Sequence, residues 1–133
     1  MTTVFADTYY YLALLNAEDD DHARAIAWTG QFDGRIVTTD WVLTEVADGL
    51  SRGAGRGPAT RLIRDLLADP AVLIVEADRA LFEQGLSLYE KRPDKEWSLT
   101  DCISFVVMER EKIRQALTAD HHFEQAGFLK LLA

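Results

Sequence analysis

The chain has 133 residues, 48% of them hydrophobic with only 8 Gly and 3 Pro, which is the composition of one packed globular domain spanning residues 1–133. Its formal net charge of −8 excludes electrostatic capture of nucleic acid by a broadly basic surface. No apolar run approaches the roughly 18 residues of a membrane span and the N-terminus has no leader pattern, so a soluble, cytoplasmic protein is expected; the single cysteine, Cys102, excludes an internal disulfide and reads as a small buried hydrophobe.

Short apolar runs alternate with helical patterns, the rhythm of βαβ units and therefore of a mostly parallel sheet covered by helices. The first run, VFADTYYYLALL, predicts a strand over Thr3–Ala6 and a helix from Tyr9, with Asp7 at the handover. Tyr9, Tyr10 and Tyr11 could stack on a base, but within this run most of them read as core. EDDDH, from Glu18 to His22, reads as a solvated helix start. A strand over Arg35–Thr38 leads into a helix over Asp40–Leu50, where Val42, Leu43, Val46, Ala47 and Leu50 share one stripe. Asp40 reads as its N-cap. Asp48 reads as an i,i+4 partner of Arg52.

The glycine-rich SRGAGRGP then precedes a helix over Pro58–Ala68, striped by Ala59, Leu62, Ile63, Leu66 and Leu67. Proline is tolerated in a first helical turn, and AspPro at 69 and 70 stops the helix. Next come a strand over Val72–Val75, a helix over Asp78–Lys91 and the polar loop RPDKEWS. The helix over Leu99–Lys112 is apolar nearly all round, which implies burial between other elements. Strands over Gln115–Thr118 and Phe128–Leu131 close the chain, separated by a short helical segment after Asp120.

In an open parallel sheet, ligands bind in the crevice outside the carboxyl ends of the strands. Asp7 and Asp120 each follow a strand, Asp101 stands in the first turn of the most buried helix after Ser98 and Thr100, and Glu45 lies one turn into the helix that follows Arg35–Thr38. These four acids can converge on one edge. Helix N-termini favour negative charge by only about 0.3–1 kcal/mol each, too little to hold four carboxylates together. A hard divalent cation, Mg²⁺ or Mn²⁺, can do so.

Each acid also has a bland reading. Asp7, Asp101 and Asp120 are all suitable helix caps, and Glu45 lies beyond the edge of its helix's apolar stripe, where solvation is as natural as function. His121 and His122 adjoin Asp120 and invite a metal or general-acid role. Adjacent helical residues point in different directions, so a solvent-exposed or capping role is expected for both. Arg52, Arg56, Arg61 and Arg64 flank the glycine-rich loop, and Lys91, Arg92 and Lys95 surround the loop before Asp101; either group is a candidate substrate contact or simply solubilising surface.

Four segments in this order, VFADTYYYLALL, TTDWVLTEVADGL, SLTDCISFVVMERE and ALTADHHFEQAGF, resemble the PIN-domain nucleases, and within them the VapC-like toxins of bacterial toxin–antitoxin pairs. The resemblance covers essentially the whole chain. It implies a five-stranded parallel sheet in a three-layer α/β/α arrangement and a metal-dependent endoribonuclease using Mg²⁺ or Mn²⁺. Asp7 and Asp101 match direct metal ligands, Asp120 a direct or water-mediated ligand, and Glu45 the acid that orients water. Thr8 and Thr118 match hydroxyls beside the quartet. The family also implies a homodimer and a small antitoxin partner. Two other classes stay open: a Mg-binding phosphotransfer or phosphatase module, which would need a second acid two residues after Asp7 where Tyr9 stands, and a catalytically inactive PIN-fold RNA- or protein-binding module.

Overall fold

The computed structural model describes residues 2–132. Five strands form one parallel sheet in the order β3-β2-β1-β4-β5. β1 (Thr3–Ala6) is followed by α1 (Thr8–Leu15) and α2 (His22–Gln31), and β2 (Arg35–Thr39) by α3 (Asp40–Gly49), a 3₁₀ turn over Gly53–Gly55 and α4 (Arg56–Ala68). β3 (Val72–Val75) leads to α5 (Arg79–Lys91) and α6 (Leu99–Glu111), then β4 (Gln115–Leu117), α7 (His121–Gln125) and β5 (Leu129–Lys130).

Crossovers between parallel strands are right-handed, so the direction in which the chain moves across the sheet decides which face receives each helix. From β1 to β2 to β3 the chain moves one way, and α1–α4 cover one face. It then jumps back over β1 to β4 and β5, which puts α5–α7 on the other. Contacts follow this division: α1 packs on α2 and α3, α3 on α4, α5 on α6, and α6 on α7. The result is the three-layer α/β/α arrangement.

β1 is central and covered on both faces, which is why Val4, Phe5 and Ala6 form a continuous apolar run with at most 1% exposure. α6 is the most enclosed helix, burying every residue from Asp101 to Phe105 together with Val107 and Met108. α5 reaches it closely through Gly85. A Cβ there would stand 2.3 Å from the Cγ1 and 3.2 Å from the Cα of Ile103, so Gly85→Ala forces the two helices apart. We expect a loss of about 1–3 kcal/mol in chemical denaturation. A variant as stable as the parent would show that α5 can shift freely on α6.

The strand and helix boundaries expected from the sequence hold to within one or two residues. α1 begins at Thr8, α4 begins at Arg56, before Pro58, and β5 is confined to Leu129–Lys130. The cap of α3 is also different. β2 runs one residue further, to Thr39, whose hydroxyl accepts from Val42 N at 3.1 Å. Asp40 is therefore the first helical residue, and its carboxylate accepts from Ala77 N at 2.8 Å, tying α3 to the segment before α5.

The acidic run is not wholly solvated. Asp21 is buried: it accepts from the Tyr9 hydroxyl and pairs with Arg24 at 3.0 Å, fastening α1 to α2. Among the described residues no ion pair joins Asp48 to Arg52. Tyr10 and Tyr11 are core residues, as is Cys102.

Candidate metal centre

The strand order places a switch point between β1 and β4, where consecutive connections leave toward opposite faces and open a crevice at the strand ends. Asp7 emerges there from β1 and Asp120 from just beyond β4. Thr118 joins them: its hydroxyl donates to Asp7 Oδ2 at 3.0 Å and accepts from Asp120 N at 3.0 Å. Asp7 is the residue before α1, yet its carboxylate makes no cap hydrogen bond to that helix. Its side chain is thus free for the crevice, and the bland reading of Asp7 fails.

Asp101 and Asp120 stand at the same edge and do serve as caps. Asp101 sits in a capping box, with Ser98 N donating to Oδ2 at 3.1 Å and Asp101 N donating to the Ser98 hydroxyl at 3.0 Å. Asp120 caps α7 by accepting from His122 N at 2.9 Å. Glu45 is exposed on α3, as its place outside the apolar stripe foretold. Thr8 nevertheless reaches it, donating to Oε1 at 2.5 Å across 37 residues of chain.

His122 was expected to be solvated or to serve as a cap, and it does neither. Its side chain is 18% exposed, and Nδ1 donates to Asp101 Oδ2 at 3.0 Å and lies 3.5 Å from Asp120 Oδ1. His121 is exposed, with Nδ1 3.6 Å from the same Asp120 oxygen. Helical side chains lean toward the N-terminus of their helix, so a histidine in the first turn of α7 returns to the strand end that α7 leaves. That lean was the available signal in the sequence.

Burial, then the charge of Asp101, pushes the Asp7 carboxyl up to about 7, and burial likewise raises Asp101. Among the described residues no lysine or arginine pairs with Asp7, Glu45, Asp101 or Asp120. Desolvated carboxylates without a cationic side chain fit a hard divalent cation, which supplies the missing positive charge through oxygen ligands. Thr118 supports that arrangement, because its hydrogen bond favours the ionised form of Asp7. Thr118→Val therefore raises Asp7 further, and we expect divalent-cation affinity to fall about 10–100-fold in calorimetric titration. Unchanged affinity would show that the hydroxyl only completes a turn.

The basic patches differ in availability. Arg92 is committed, its guanidinium held by Asp94 at 2.9 Å and 3.0 Å and lying over the Trp97 ring. Lys91 and Lys95 remain around the loop before α6, where a cleft of about 710 Å³ runs from Tyr89 and Arg92 past Lys95 to Ser98, the cap of the Asp101 helix. Arg52 and Arg56 stand beyond the far end of α3, a helix of 10 residues and so about 15 Å from the strand ends. Arg56 there donates to Ser51 O.

Known proteins are similar to this chain over nearly its full length. The 23S rRNA-specific endonuclease VapC20 of Mycobacterium tuberculosis is 29% identical over 128 residues, which cover 96% of this chain and 97% of that protein. The crystal structure of Mycobacterium tuberculosis VapC20, described as a sarcin-ricin loop cleaving toxin, matches with a TM-score of 0.89 at 28% identity, over 98% of this chain and 99% of that one. Two more distant structures share the fold. FitAcB from Neisseria gonorrhoeae gives a TM-score of 0.65 at 18% identity over 96% and 95% of the two chains. VapBC2 from Rickettsia felis, bound to a promoter DNA fragment, gives 0.67 at 12% identity over 97% of each. The PIN domain profile matches residues 4–129, a span that begins before Asp7 and ends beyond Asp120, and the chain belongs to that family.

Proposed function

We propose that the protein is a metal-dependent endoribonuclease of the toxin type, with Asp7, Asp101 and Asp120 holding Mg²⁺ or Mn²⁺. The observation that carries this reading is the pair of buried carboxylates, Asp7 and Asp101, beside the half-buried Asp120 at the β1/β4 switch point, with no lysine or arginine partner among the described residues. When bound, such a cation acidifies a water and offsets charge on the phosphate. Asp7, held by the Thr118 hydroxyl, and Asp101, held by the Ser98 backbone N–H, are both fixed in orientation. Glu45 has one oxygen on the Thr8 hydroxyl, and its other oxygen serves to orient the attacking water. Lys95, in the cleft that reaches Ser98 at the cap of the Asp101 helix, and Lys91 at the end of α5 are the candidate phosphate contacts; Arg92 stiffens the loop that carries Lys95.

The substrate we propose is structured ribosomal RNA, in line with the printed specificity of a relative aligned over 96% of this chain. A toxin must be restrained in its own cell, so we propose a small inhibitory protein partner, and a homodimer as the working state. The phosphotransfer alternative is disfavoured because Tyr9, where a second acid would stand, is instead tied to Asp21. An inactive binding module would not need its carboxylates desolvated together.

The test is incubation of the purified protein with intact ribosomal RNA in Mg²⁺ or Mn²⁺, followed by mapping of the new 5′ ends. Discrete cuts that disappear with EDTA are expected. RNA left intact in every divalent metal would overturn the proposal.

A further inference from the structure

Asp120 Oδ1 is approached by two ring nitrogens, His121 Nδ1 at 3.6 Å and His122 Nδ1 at 3.5 Å, and one donor atom from each of these residues lies within 4.8 Å of the others. Asp101 Oδ2 adds an oxygen 3.0 Å from His122 Nδ1, and a metal on that nitrogen displaces the proton it otherwise donates to Asp101. Zinc bonds of about 2.0–2.2 Å arranged tetrahedrally put neighbouring ligand atoms about 3.3–3.6 Å apart, close to the 3.5 and 3.6 Å at which the two ring nitrogens stand from Asp120 Oδ1. The two ring centroids are 4.6 Å apart with the planes tilted by 53°, and both Nδ1 atoms turn to the same carboxylate instead of diverging. The exposed His121 leaves an open approach.

We propose that Asp120, His121 and His122, with Asp101 beside them, form a second site for a borderline transition metal such as Zn²⁺, one that shares Asp101 and Asp120 with the all-oxygen side of the crevice at Asp7. The donor chemistry separates the two sites: carboxylates and hydroxyls suit Mg²⁺ and Mn²⁺, whereas two imidazoles select zinc or cobalt. Occupancy of the histidine wall engages Asp120 and Asp101, so the two metals compete for these shared carboxylates. The inference rests on the functional reading above only for the place of the hard cation.

The test uses the full-length, metal-stripped protein titrated with Co²⁺, whose tetrahedral complexes absorb strongly in the visible, followed by displacement with Zn²⁺ under calorimetry. One equivalent should bind with a tetrahedral spectrum. His121→Ala and His122→Ala should each weaken Co²⁺ and Zn²⁺ tenfold or more and remove that spectrum, while Asp7→Asn leaves it in place. Because His121 is exposed, its variant keeps the test readable should His122→Ala unfold. An octahedral spectrum, or affinities indifferent to both histidines, would overturn the site; so would a loss on Asp7→Asn as large as on the histidine variants. RNA cleavage in Mn²⁺ is scored in parallel. Cleavage without a histidine-dependent spectrum sinks the zinc site alone, and a histidine-dependent spectrum without cleavage in any metal sinks the nuclease reading alone.

Discussion

Asp7→Asn removes metal-dependent RNA cleavage and at the same time makes the metal-free protein more stable at pH 8. Asparagine keeps the shape and can still accept from the Thr118 hydroxyl, so the substitution isolates the charge. For activity, loss of a supporting hydrogen-bond partner of a metal ligand already costs about 10–100-fold, so loss of the ligand charge itself should cost at least about 10²-fold in rate. For stability the sign is opposite. The folded-state carboxyl of Asp7 sits at about 7, above the ordinary 3.8, chiefly through burial. The folded protein therefore holds a proton that the unfolded chain releases. Its contribution to stability is complete below about pH 4 and is lost as pH rises through 7, an amount of up to about 4 kcal/mol. In EDTA the parent should unfold more readily at pH 8 than at pH 5, and Asp7→Asn should flatten that difference. Added Mn²⁺ should restore the parent but not the variant. Asp101→Asn should lose cleavage likewise. Folded Asp7→Asn and Asp101→Asn proteins that cut RNA at the parental rate would remove the acidic assignment.

Much of this crevice could be read from the chain because each acid is tied to a local signal. Asp7 and Asp120 follow strands that their own apolar runs announce, and Asp101 follows Ser98 at capping-box spacing. A parallel sheet then does the rest, since it delivers every strand end to one edge. What escaped the reading depends on tertiary contact. Thr39 and Asp40 are both good caps, and only pairing of Thr39 with Val75 carries the strand one residue further and settles which of them caps. Asp21 looks like its neighbours Asp19 and Asp20 until α1 brings Tyr9 against it. Arg92 is captured by Asp94 two residues on, a loop contact that composition cannot show. His122 belongs to the same group, because the direction of its ring is set by how α7 docks and not by the helix alone.

Docking of α7 is the point at which the hydrophobic core reaches the acids, and Phe123→Ala tests it. A helix of five residues cannot hold its own conformation, so α7 persists through packing and its cap. Phe123 is fully buried, with ring centroids 4.9 Å from Phe105 on α6 and 6.4 Å from Phe5 on β1. It thus grips both elements that deliver the other acids, while Asp120 and His122 stand immediately before it in the chain. Truncation to alanine should cost about 3–5 kcal/mol in urea unfolding, a large share of the 5–15 kcal/mol that small domains possess. Where the variant still folds, α7 amides should exchange faster than those of α6, and divalent-cation affinity should fall while the sheet persists. Phe123→Leu, which refills most of the cavity, should recover much of both. A Phe123→Ala protein within about 1 kcal/mol of the parent, well under the usual cost of such a truncation, would show that the cap at Asp120 alone holds α7. The acids at β1 and β4 would then owe their meeting to the strands and to Thr118, with no help from the aromatic core.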